Sequence, residues 1–367
     1  MDEIVSELTR EVIGPRKLII LREDLKRFET FMIQGGKAPN QSGLADSTVN
    51  NYLSRIDQIY RAGWAVIGKK QVPLTPDIAD QVEASLAEDQ FKKSNGESYS
   101  PSSKRKFQNT LKKYFEYRAE NGGRKWEPEY DFEETASRTR DYFKRDERSE
   151  LRDASISHDQ LPHYSSVSPE ERARTKRYLA QKTGVPKKDI TREIWNEHRE
   201  SLKIPSLVFT SLDAALRPIE VNQSTEDWLR LDTQELHIPK ENSSKGRENW
   251  HVSLSSKTAQ INREWMQQRD CKPKYDGRDE IWLNRQGNPY CSKTLCDLLN
   301  TLLEQTDIDT SNRDLSWYSI RHSTGTYMTE VGDMAQASEQ LRHDSFQTTK
   351  RYYHSSVEER SNTLEEI

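Results

Sequence analysis

Residues 126–146 interrupt a chain whose apolar residues otherwise recur at helical spacing. This stretch contains Pro128, paired acidic residues and the basic residues Arg138 and Arg140, and it has no continuous apolar face. The loss of helical periodicity together with these residues indicates a linker. The length of 367 residues also exceeds the roughly 100–150 residues of a typical domain. The sequence therefore predicts two domains, residues 1–140 including the linker and residues 141–367.

The first domain is predicted to contain two amphipathic helices. In one of them, apolar residues recur at helical spacing over residues 49–60, directly after Asp46 and Ser47, whose side chains can cap a helix. The other begins with a capping serine and a proline, Ser100 and Pro101, and ends at the Asn-Gly-Gly of residues 121–123. We therefore expect this domain to be helical.

The charge of the chain is unevenly distributed. The 60 Asp and Glu residues slightly outnumber the 56 Lys and Arg residues, and this balance alone does not indicate a nucleic-acid partner. Residues 101–125, however, contain eight basic residues against two acidic ones. The predicted DNA contacts in this region are Lys104, Arg105, Lys106, Lys112 and Lys113. A solvated helix face without a partner is the alternative interpretation.

The second domain is predicted to be mainly helical with a small β-hairpin. Residues 204–216 have the pattern of an apolar helix, and residues 235–239 and 250–254 are strand candidates joined by a polar turn. Helices return from Ser292 onward. Residues 170–179 have the pattern of an added helix inside a polar segment that contains several prolines, and the sequence assigns no function to that segment.

The composition indicates neither a membrane protein nor a metal protein. No stretch approaches the roughly 20 apolar residues that cross a bilayer, and the first ten residues lack the apolar core of a signal peptide. We therefore expect a cytoplasmic protein with no membrane partner. The three cysteines have no Cys-x-x-Cys or Cys/His arrangement, which predicts free thiols and no metal site: Cys271, Cys291 and Cys296.

Four short motifs carry the functional signal. They are A-L-R-P-I-E at residues 215–220, Y-S-I-R-H at 318–322, L-R-H at 341–343 and T-T-K-R-Y-Y-H at 348–354. In type and order they resemble the G-L-R-x-x-E, H-x-x-R-H, L-G-H and T-T-x-x-Y-x-H signatures of the tyrosine recombinases, the family of phage integrases and Xer proteins. One such motif alone would be a weak signal, but four in the family's order argue against chance agreement.

The resemblance implies that Tyr352 attacks a DNA phosphate and forms a 3′-phosphotyrosyl bond. That bond conserves the energy needed for rejoining, so neither ATP nor any other cofactor is expected. Arg217 and Arg321 would stabilise the charge on the phosphoryl oxygens, because a guanidinium group binds two oxygens at once and stays charged at any cellular pH. Glu220 would orient Arg217. A helix-end arginine that merely pairs with Glu220 is the alternative for Arg217.

The resemblance assigns proton transfer to the leaving 5′ oxygen to a lysine of the hairpin. Lys240, directly after the first strand, is the preferred candidate, and Lys245 in the same turn is the alternative and a further predicted DNA contact. His343 would hydrogen-bond the phosphate or assist proton transfer. Tyr318 and Arg342 depart from the family pattern. Tyr318 replaces a histidine and is expected to position the phosphate rather than to carry a proton, and Arg342 replaces the glycine of L-G-H.

The nucleophile has one rival in the sequence. Tyr353 adjoins Tyr352, and adjacent residues of a helix point about 100° apart, so only one of them can face a phosphate. The spacing of nine residues from His343 favours Tyr352. His322 and His354 are expected to be structural neighbours of the site. The acidic tail beyond predicts a short helix of the kind that, in this family, packs on a neighbouring protomer, and a solvated tail is the alternative.

The resemblance implies a two-domain clamp around duplex DNA, with a helical core-binding domain over residues 1–140 and a catalytic domain over residues 141–367. It further implies site-specific recombination in the nucleoid, with two protomers per site and four in the synapse. Strand exchange would pass through a Holliday junction, and accessory DNA-bending or directionality proteins would be further partners. The amino-acid sequence of residues 238–245 resembles that of archaeal integrases, particularly those of haloarchaea or their viruses. A DNA-binding regulator of the same fold and a type IB topoisomerase are the rival functions.

Overall fold

The structure, a computed structural model, describes residues 4–35, 43–132, 141–243, 248–343 and 345–352, without the side chains of Phe346 and Arg351. The chain divides into two compact units, Met1–Arg138 and Thr139–Ile367. The boundary predicted from the sequence lies two residues further along. No helix in the described part of the chain is both long enough and apolar enough to cross a membrane.

The first unit is built from helices. They are α1 (Glu7–Val12), α2 (Pro15–Gln34), α3 (Asp46–Ile67), α4 (Pro76–Ala87) and α5 (Pro101–Glu120). The largest fully buried side chains of its core come from α2, α3 and α5: Phe28, Tyr60, Trp64 and Tyr114. Both helices predicted from the sequence are confirmed, and α3 continues beyond the predicted end. Ser100 caps α5 through its hydroxyl as predicted, whereas α3 begins after Ala45 and has no side-chain cap.

The basic residues of α5 are not equally accessible. Lys104 is only 9% exposed and its ammonium forms an ion pair with Asp89 at 2.9 Å. A lysine that is buried and paired in this way cannot approach a phosphate without breaking the pair, so Lys104 leaves the set of predicted DNA contacts. The remaining members are exposed or half-buried: Arg105, Lys106, Lys112 and Lys113.

The second unit contains most of the helices and all the strands of the described residues. Its helices are α6 (Arg145–His158), α7 (Pro169–Thr183), α8 (Arg192–Glu197), α9 (Lys203–Ala214), α10 (Pro218–Gln223), α11 (Ser256–Arg269), α12 (Ser292–Leu303), α13 (Trp317–Val331), α14 (Met334–Leu341) and α15 (Phe346–Thr349). Short 3-10 helices cover Lys187–Asp189, Glu226–Trp228, Lys240–Asn242, Pro273–Tyr275 and Lys350–Tyr352. Its three cysteines are free thiols. This unit is therefore mainly α, as predicted.

The strands form one small antiparallel sheet in the order β1 (Leu229–Arg230), β2 (Glu235–Ile238) and β3 (Trp250–Ser253). Leu236 pairs with Val252 and both are fully buried, whereas the neighbouring pair of His237 and His251 lies on the outer face. This alternation is the period of two that predicted β2 and β3. The two residues of β1 are too few to show any periodicity, and the sequence did not reveal that strand.

Helix α9 is the centre of the second unit. Nearly all of its side chains are buried, and it packs against α6, α11 and α13. It ends where Ala215 adopts the left-handed conformation, with φ of 49°. This sharp end turns the chain so that Arg217 follows at the start of α10, close to the face of α13. The apolar run and its abrupt end therefore position the first residue of the site.

Helices α7 and α8 form a separate packing cluster within the second unit. Tyr178, Leu179 and Trp195 are buried there together with Cys271, which follows α11. The helix predicted over residues 170–179 is confirmed as part of α7, which extends four residues further. This cluster gives the polar segment its own small core.

Candidate active site

Arg321 lies in the middle of α13 and is 2% exposed. Its guanidinium group donates to the carbonyl oxygen of Ala215 at 2.7 Å and to that of Leu341, and it approaches Nε2 of His343 at 3.1 Å. Burial, with repulsion from the nearby guanidinium groups of Arg342 and Arg217, lowers the pKa of Arg321 to about 9. Arg321 therefore remains a cation at neutral pH, in a place where water screens its charge poorly.

Arg217 and the fully buried Glu220 form a compact pair at the start of α10. The backbone N–H of Arg217 donates to Oε2 of Glu220 at 2.8 Å, and its guanidinium group donates to Oε1 at 2.7 Å. Burial alone would raise the pKa of Glu220, but Arg342, Arg217 and Arg321 together lower it to about 2. The carboxylate is therefore ionised. The pair fits both roles that the sequence left open for Arg217, because orientation for catalysis and simple pairing use the same contact.

Arg342 is a third arginine at the same carboxylate. It follows α14 in the left-handed conformation, with φ of 55°, and is 3% exposed. Its guanidinium group donates to Oε2 of Glu220 at 2.8 Å and to the carbonyl oxygens of Ala214 and Ala215 at 2.6 and 2.8 Å. Left-handed backbone costs a side-chain-bearing residue roughly 1–2 kcal/mol, and these hydrogen bonds offset that cost. The sequence showed that Arg342 replaces the glycine of L-G-H, but it did not show that the guanidinium group of Arg342 binds Glu220.

Tyr352 is held against one face of α13 at three points. Its carbonyl oxygen accepts from Oγ1 of Thr329 at 3.2 Å. Its ring lies against Gly325, where an added Cβ would come within 2.8 Å of the ring. Its hydroxyl lies 3.0 Å from Nδ1 of His322. The three helix positions are spaced by three and four residues, which places them on one face, where they contact the backbone, the ring and the hydroxyl of Tyr352.

His343 packs flat against the tyrosine. The two rings are 5.8 Å apart between centroids with an angle of 16° between their planes. Nε2 of His343 faces a guanidinium N–H of Arg321, and Nδ1 lies 2.9 Å from Oγ1 of Thr349. Because an arginine N–H can only donate, Nε2 accepts, and this assigns the proton to Nδ1. His343 is thereby locked between Arg321 and the segment that carries Tyr352.

His322 lies closer to the chemistry than the sequence suggested. It was expected to be a structural neighbour, yet its imidazole contacts the hydroxyl of Tyr352. Tyr318 lies one turn earlier on α13, is 40% exposed, and has its ring 6.4 Å from that of His322. Only the spacing of four residues between Tyr318 and His322 in the sequence indicates that the two rings share a helix face.

Lys240 is not part of this cluster. It is exposed at the start of a 3-10 helix after β2, and its backbone N–H donates to Oδ1 of Asn249 at 2.8 Å, which joins the two sides of the hairpin. Among the described residues its ammonium group forms no hydrogen bond or ion pair. Lys245, Tyr353, His354 and the acidic tail lie outside the described residues.

The contacts bring together Arg217, Arg321, His343 and Tyr352 from the predicted set, and add His322 and Arg342. Three guanidinium groups surround a single carboxylate, so the cluster carries excess positive charge beside a phenol. Such a site attracts an anion whose charge grows during reaction, as on the equatorial oxygens of a phosphodiester under attack. The arrangement is suited to phosphoryl transfer to the phenol oxygen.

Residues 188–359 match the sequence model of the phage integrase family. Among solved structures, the Tn1549 transposon integrase in complex with transposon right end DNA is 12% identical, with 94% of this chain and 98% of that chain covered and a TM-score of 0.59. A lambda integrase dimer bound to a COC′ core site is 12% identical, with 94% and 84% covered and a TM-score of 0.54. XerH bound to its difH substrate is 14% identical, with 94% and 95% covered and a TM-score of 0.53. At these identities the likeness shows the fold. None of the curated proteins matches the chain in sequence.

Proposed function

We propose that the chain is a tyrosine-type site-specific recombinase and that Tyr352 is its nucleophile, a proposal supported by the match of residues 188–359 to the phage integrase family. The observation that carries this proposal is the position of Tyr352, whose hydroxyl lies 3.0 Å from His322 and whose ring stacks on that of His343, which in turn contacts Arg321. Attack by this oxygen on a phosphodiester gives a 3′-phosphotyrosyl bond. A free 5′-hydroxyl can later reverse the step without ATP.

Arg217 and Arg321 are proposed to stabilise the negative charge that develops on the phosphoryl oxygens in the transition state. Each presents a planar fork of N–H groups, and Glu220 holds the fork of Arg217 through a bond of 2.7 Å. Removal of one such donor from a preorganised site typically costs 10²–10³-fold in rate, or roughly 2.7–4 kcal/mol. His343, which accepts a hydrogen bond from Arg321, takes the neighbouring place at the phosphate.

The leaving 5′ oxygen requires a proton, which we assign to Lys240, with Lys245 as the alternative. Lys240 is exposed and its ammonium forms no bond within the described residues, so it is available to a bound duplex. Asn249 ties its backbone to the returning strand of the hairpin. Tyr318, half-exposed at the outer end of the ring stack on α13, positions the phosphate.

The first unit is proposed to bind DNA as a core-binding domain over residues 1–140, with the catalytic domain over residues 141–367. The exposed and half-buried basic residues of α5 support this role: Arg105, Lys106, Lys112 and Lys113. Contacts of this type bind phosphate without reading sequence and weaken as salt rises.

The assembly follows from the proposed reaction. Two protomers would bind each recombination site and four would form the synapse, exchanging strands through a Holliday junction with accessory DNA-bending or directionality proteins. The lambda integrase neighbour is itself a dimer on its core site. The amino-acid sequence of the hairpin, residues 238–245, supports an archaeal origin, particularly in haloarchaea or their viruses.

The test of the nucleophile uses random nicked duplex fragments, because sequencing of the fragments that become covalently bound also reveals the site. The full chain should give a protein–DNA adduct on a denaturing gel. Tyr352→Phe should abolish the adduct and retain duplex binding, while Tyr353→Phe should keep the adduct. The opposite pattern would transfer the nucleophile to Tyr353. Site-independent plasmid relaxation would favour the topoisomerase, and binding without any adduct would favour the regulator.

A further inference from the structure

We propose that His322 is the general base that takes the proton from the Tyr352 hydroxyl during cleavage and returns it during rejoining. This inference rests on the proposed function, because it presupposes that Tyr352 is the nucleophile. The contact that suggests it is the 3.0 Å distance between Nδ1 of His322 and Oη of Tyr352. A general base must lie about 2.6–3.2 Å from the atom that it deprotonates.

The contact is held from several directions. The ring of Tyr352 lies against Gly325, which has no side chain to displace it, and the backbone carbonyl oxygen of Tyr352 accepts from Thr329. Both the ring and the backbone of Tyr352 are therefore held against α13. His322 and Tyr352 have ring centroids 5.5 Å apart at an angle of 35°. The ring of His322 also lies 6.4 Å from that of Tyr318. The imidazole therefore contacts two phenol rings, and its Nδ1 lies at the hydroxyl of Tyr352.

The other titratable groups around this phenol are poorly suited to the role. His343 stacks parallel to the ring at 16° and has Nε2 on Arg321 and Nδ1 on Thr349. Arg321 is a cation and has no lone pair to accept a proton. Tyr318 is itself a phenol, and a neutral phenol is too weak a base to take the proton of another phenol. His322 combines the right distance with a basic nitrogen.

Histidine chemistry suits the step. Phenols have an ordinary pKa near 10 and imidazoles one near 6.5, so a neutral imidazole accepts the proton only as attack develops. In this role the hydroxyl of Tyr352 donates to Nδ1, and neutral His322 carries its own proton on Nε2. The replacement of a histidine by Tyr318 therefore does not leave the site without a base, because His322 lies one turn further along the same face.

The reaction balances without any further reagent. An electron pair of Tyr352 Oη forms the bond to phosphorus while the O–H proton passes to Nδ1 of His322. The bond between phosphorus and the 5′ oxygen breaks, its electron pair stays on that oxygen, and the oxygen takes a proton from the hairpin lysine. In rejoining, the 5′-hydroxyl returns a proton to the lysine, and His322 returns its proton to Oη.

The test measures single-turnover formation of the covalent adduct by the full chain and by His322→Gln, on the nicked duplex that gives adducts with the unaltered protein. Glutamine keeps a hydrogen bond to the hydroxyl but cannot take up the proton. We expect the rate at pH 7 to fall about 10²–10⁴-fold with unchanged duplex binding. The rise of the rate with pH through the imidazole range should also disappear. His163→Gln, the same change at an exposed histidine before α7, should leave rate and pH profile unaltered.

A second variant separates catalysis from packing. His322→Ala leaves space beside Tyr352, and free imidazole should restore part of the rate in proportion to its unprotonated fraction. A His322→Gln rate within about threefold of the unaltered protein, an unchanged pH profile, or absence of imidazole rescue would overturn the assignment. In each of these outcomes an adduct that still requires Tyr352 leaves the proposed function standing, whereas an adduct that survives Tyr352→Phe removes both.

Discussion

Each unit buries one carboxylate among several donors, and the two clusters differ in charge. In the first unit, Asp24 accepts from the hydroxyls of Tyr60, Tyr114 and Tyr117 at 2.9, 2.5 and 3.1 Å, and from Arg118 at 3.2 Å. In the second, Glu220 accepts from the guanidinium groups of Arg217 and Arg342 and from the backbone N–H of Arg217, with Arg321 close by.

The charges within the Asp24 cluster cancel. Burial and the carboxylate raise the pKa of Tyr60 and Tyr114 well above the usual value and that of Tyr117 to about 12, so all three phenols stay neutral. The negative charge of Asp24 is then balanced by the positive charge of Arg118. The Glu220 cluster has three cations for one anion, which lowers the pKa of the carboxyl group to about 2. A balanced cluster stabilises a fold, whereas an unbalanced one leaves charge for a ligand.

The difference is tested most strongly by removing a donor from each cluster. Arg321→Ala should reduce adduct formation by about 10³-fold, because the phosphate loses a buried cation. Tyr117→Phe, which removes one donor from Asp24, should leave the adduct rate nearly unchanged and lower the free energy of unfolding by about 1 kcal/mol. Single-turnover cleavage and urea unfolding measure the two effects. Equal losses of cleavage would show that the clusters do not differ in role.

Neutralisation of each carboxylate sharpens the comparison. Glu220→Gln leaves the buried guanidinium groups of Arg321 and Arg342 and the half-buried one of Arg217 without their anion, and should lower the free energy of unfolding by about 3–5 kcal/mol. Asp24→Asn keeps an acceptor for neutral phenols and should cost about 1–3 kcal/mol. Denaturant unfolding of both variants gives the ranking. A larger loss for Asp24→Asn would contradict the assigned charge balance.

Acid should affect the Glu220 cluster in a definite range. The pKa of Glu220 is near 2 in the folded protein, below its ordinary value of about 4.3 in an unfolded chain. The carboxylate therefore contributes stability that is complete above the unfolded pKa and is lost as pH falls toward 2. This contribution is on the order of 3 kcal/mol. Unfolding measured between about pH 5 and 2 should lose this slope in Glu220→Gln. An unchanged slope would count against the low pKa.

The smallest effect concerns the left-handed residue of the charged cluster. Arg342→Gly and Arg342→Ala remove the same hydrogen bonds to Glu220, but only alanine retains a Cβ at φ of 55°. The glycine variant should therefore be more stable than the alanine variant by about 1 kcal/mol. Thermal unfolding of the pair gives this difference directly. Equal stabilities would mean that the backbone relaxes out of the left-handed region.

The sequence predicted α3 and α5 of the first unit, α7 and α9 of the second and the two longer strands, because amphipathic periodicity and capping residues are local signals. It also placed Arg217, Arg321, His343 and Tyr352 in one site by their resemblance to family motifs, and these four lie together in the structure. The role of Arg342 was missed because a residue type does not reveal which backbone conformation it adopts, nor that its side chain turns inward to a carboxylate.

Two further differences arise from packing between distant segments. Lys104 resembled its neighbours in α5, but Asp89 lies across from it and pairs with it. His322 follows Arg321 directly, and only the return of the chain at residues 350–352 brings the Tyr352 hydroxyl to its ring. Such contacts depend on how elements meet, which spacing along one helix does not determine.

The most direct test of the account identifies the tyrosine that becomes bound to DNA. The full chain is incubated with the nicked duplex, the adduct is denatured and digested with protease and nuclease, and the peptide carrying the nucleotide is sequenced by mass spectrometry. The account predicts a 3′-phosphate linked to Tyr352. Linkage to Tyr353, or to any residue other than Tyr352, would contradict it.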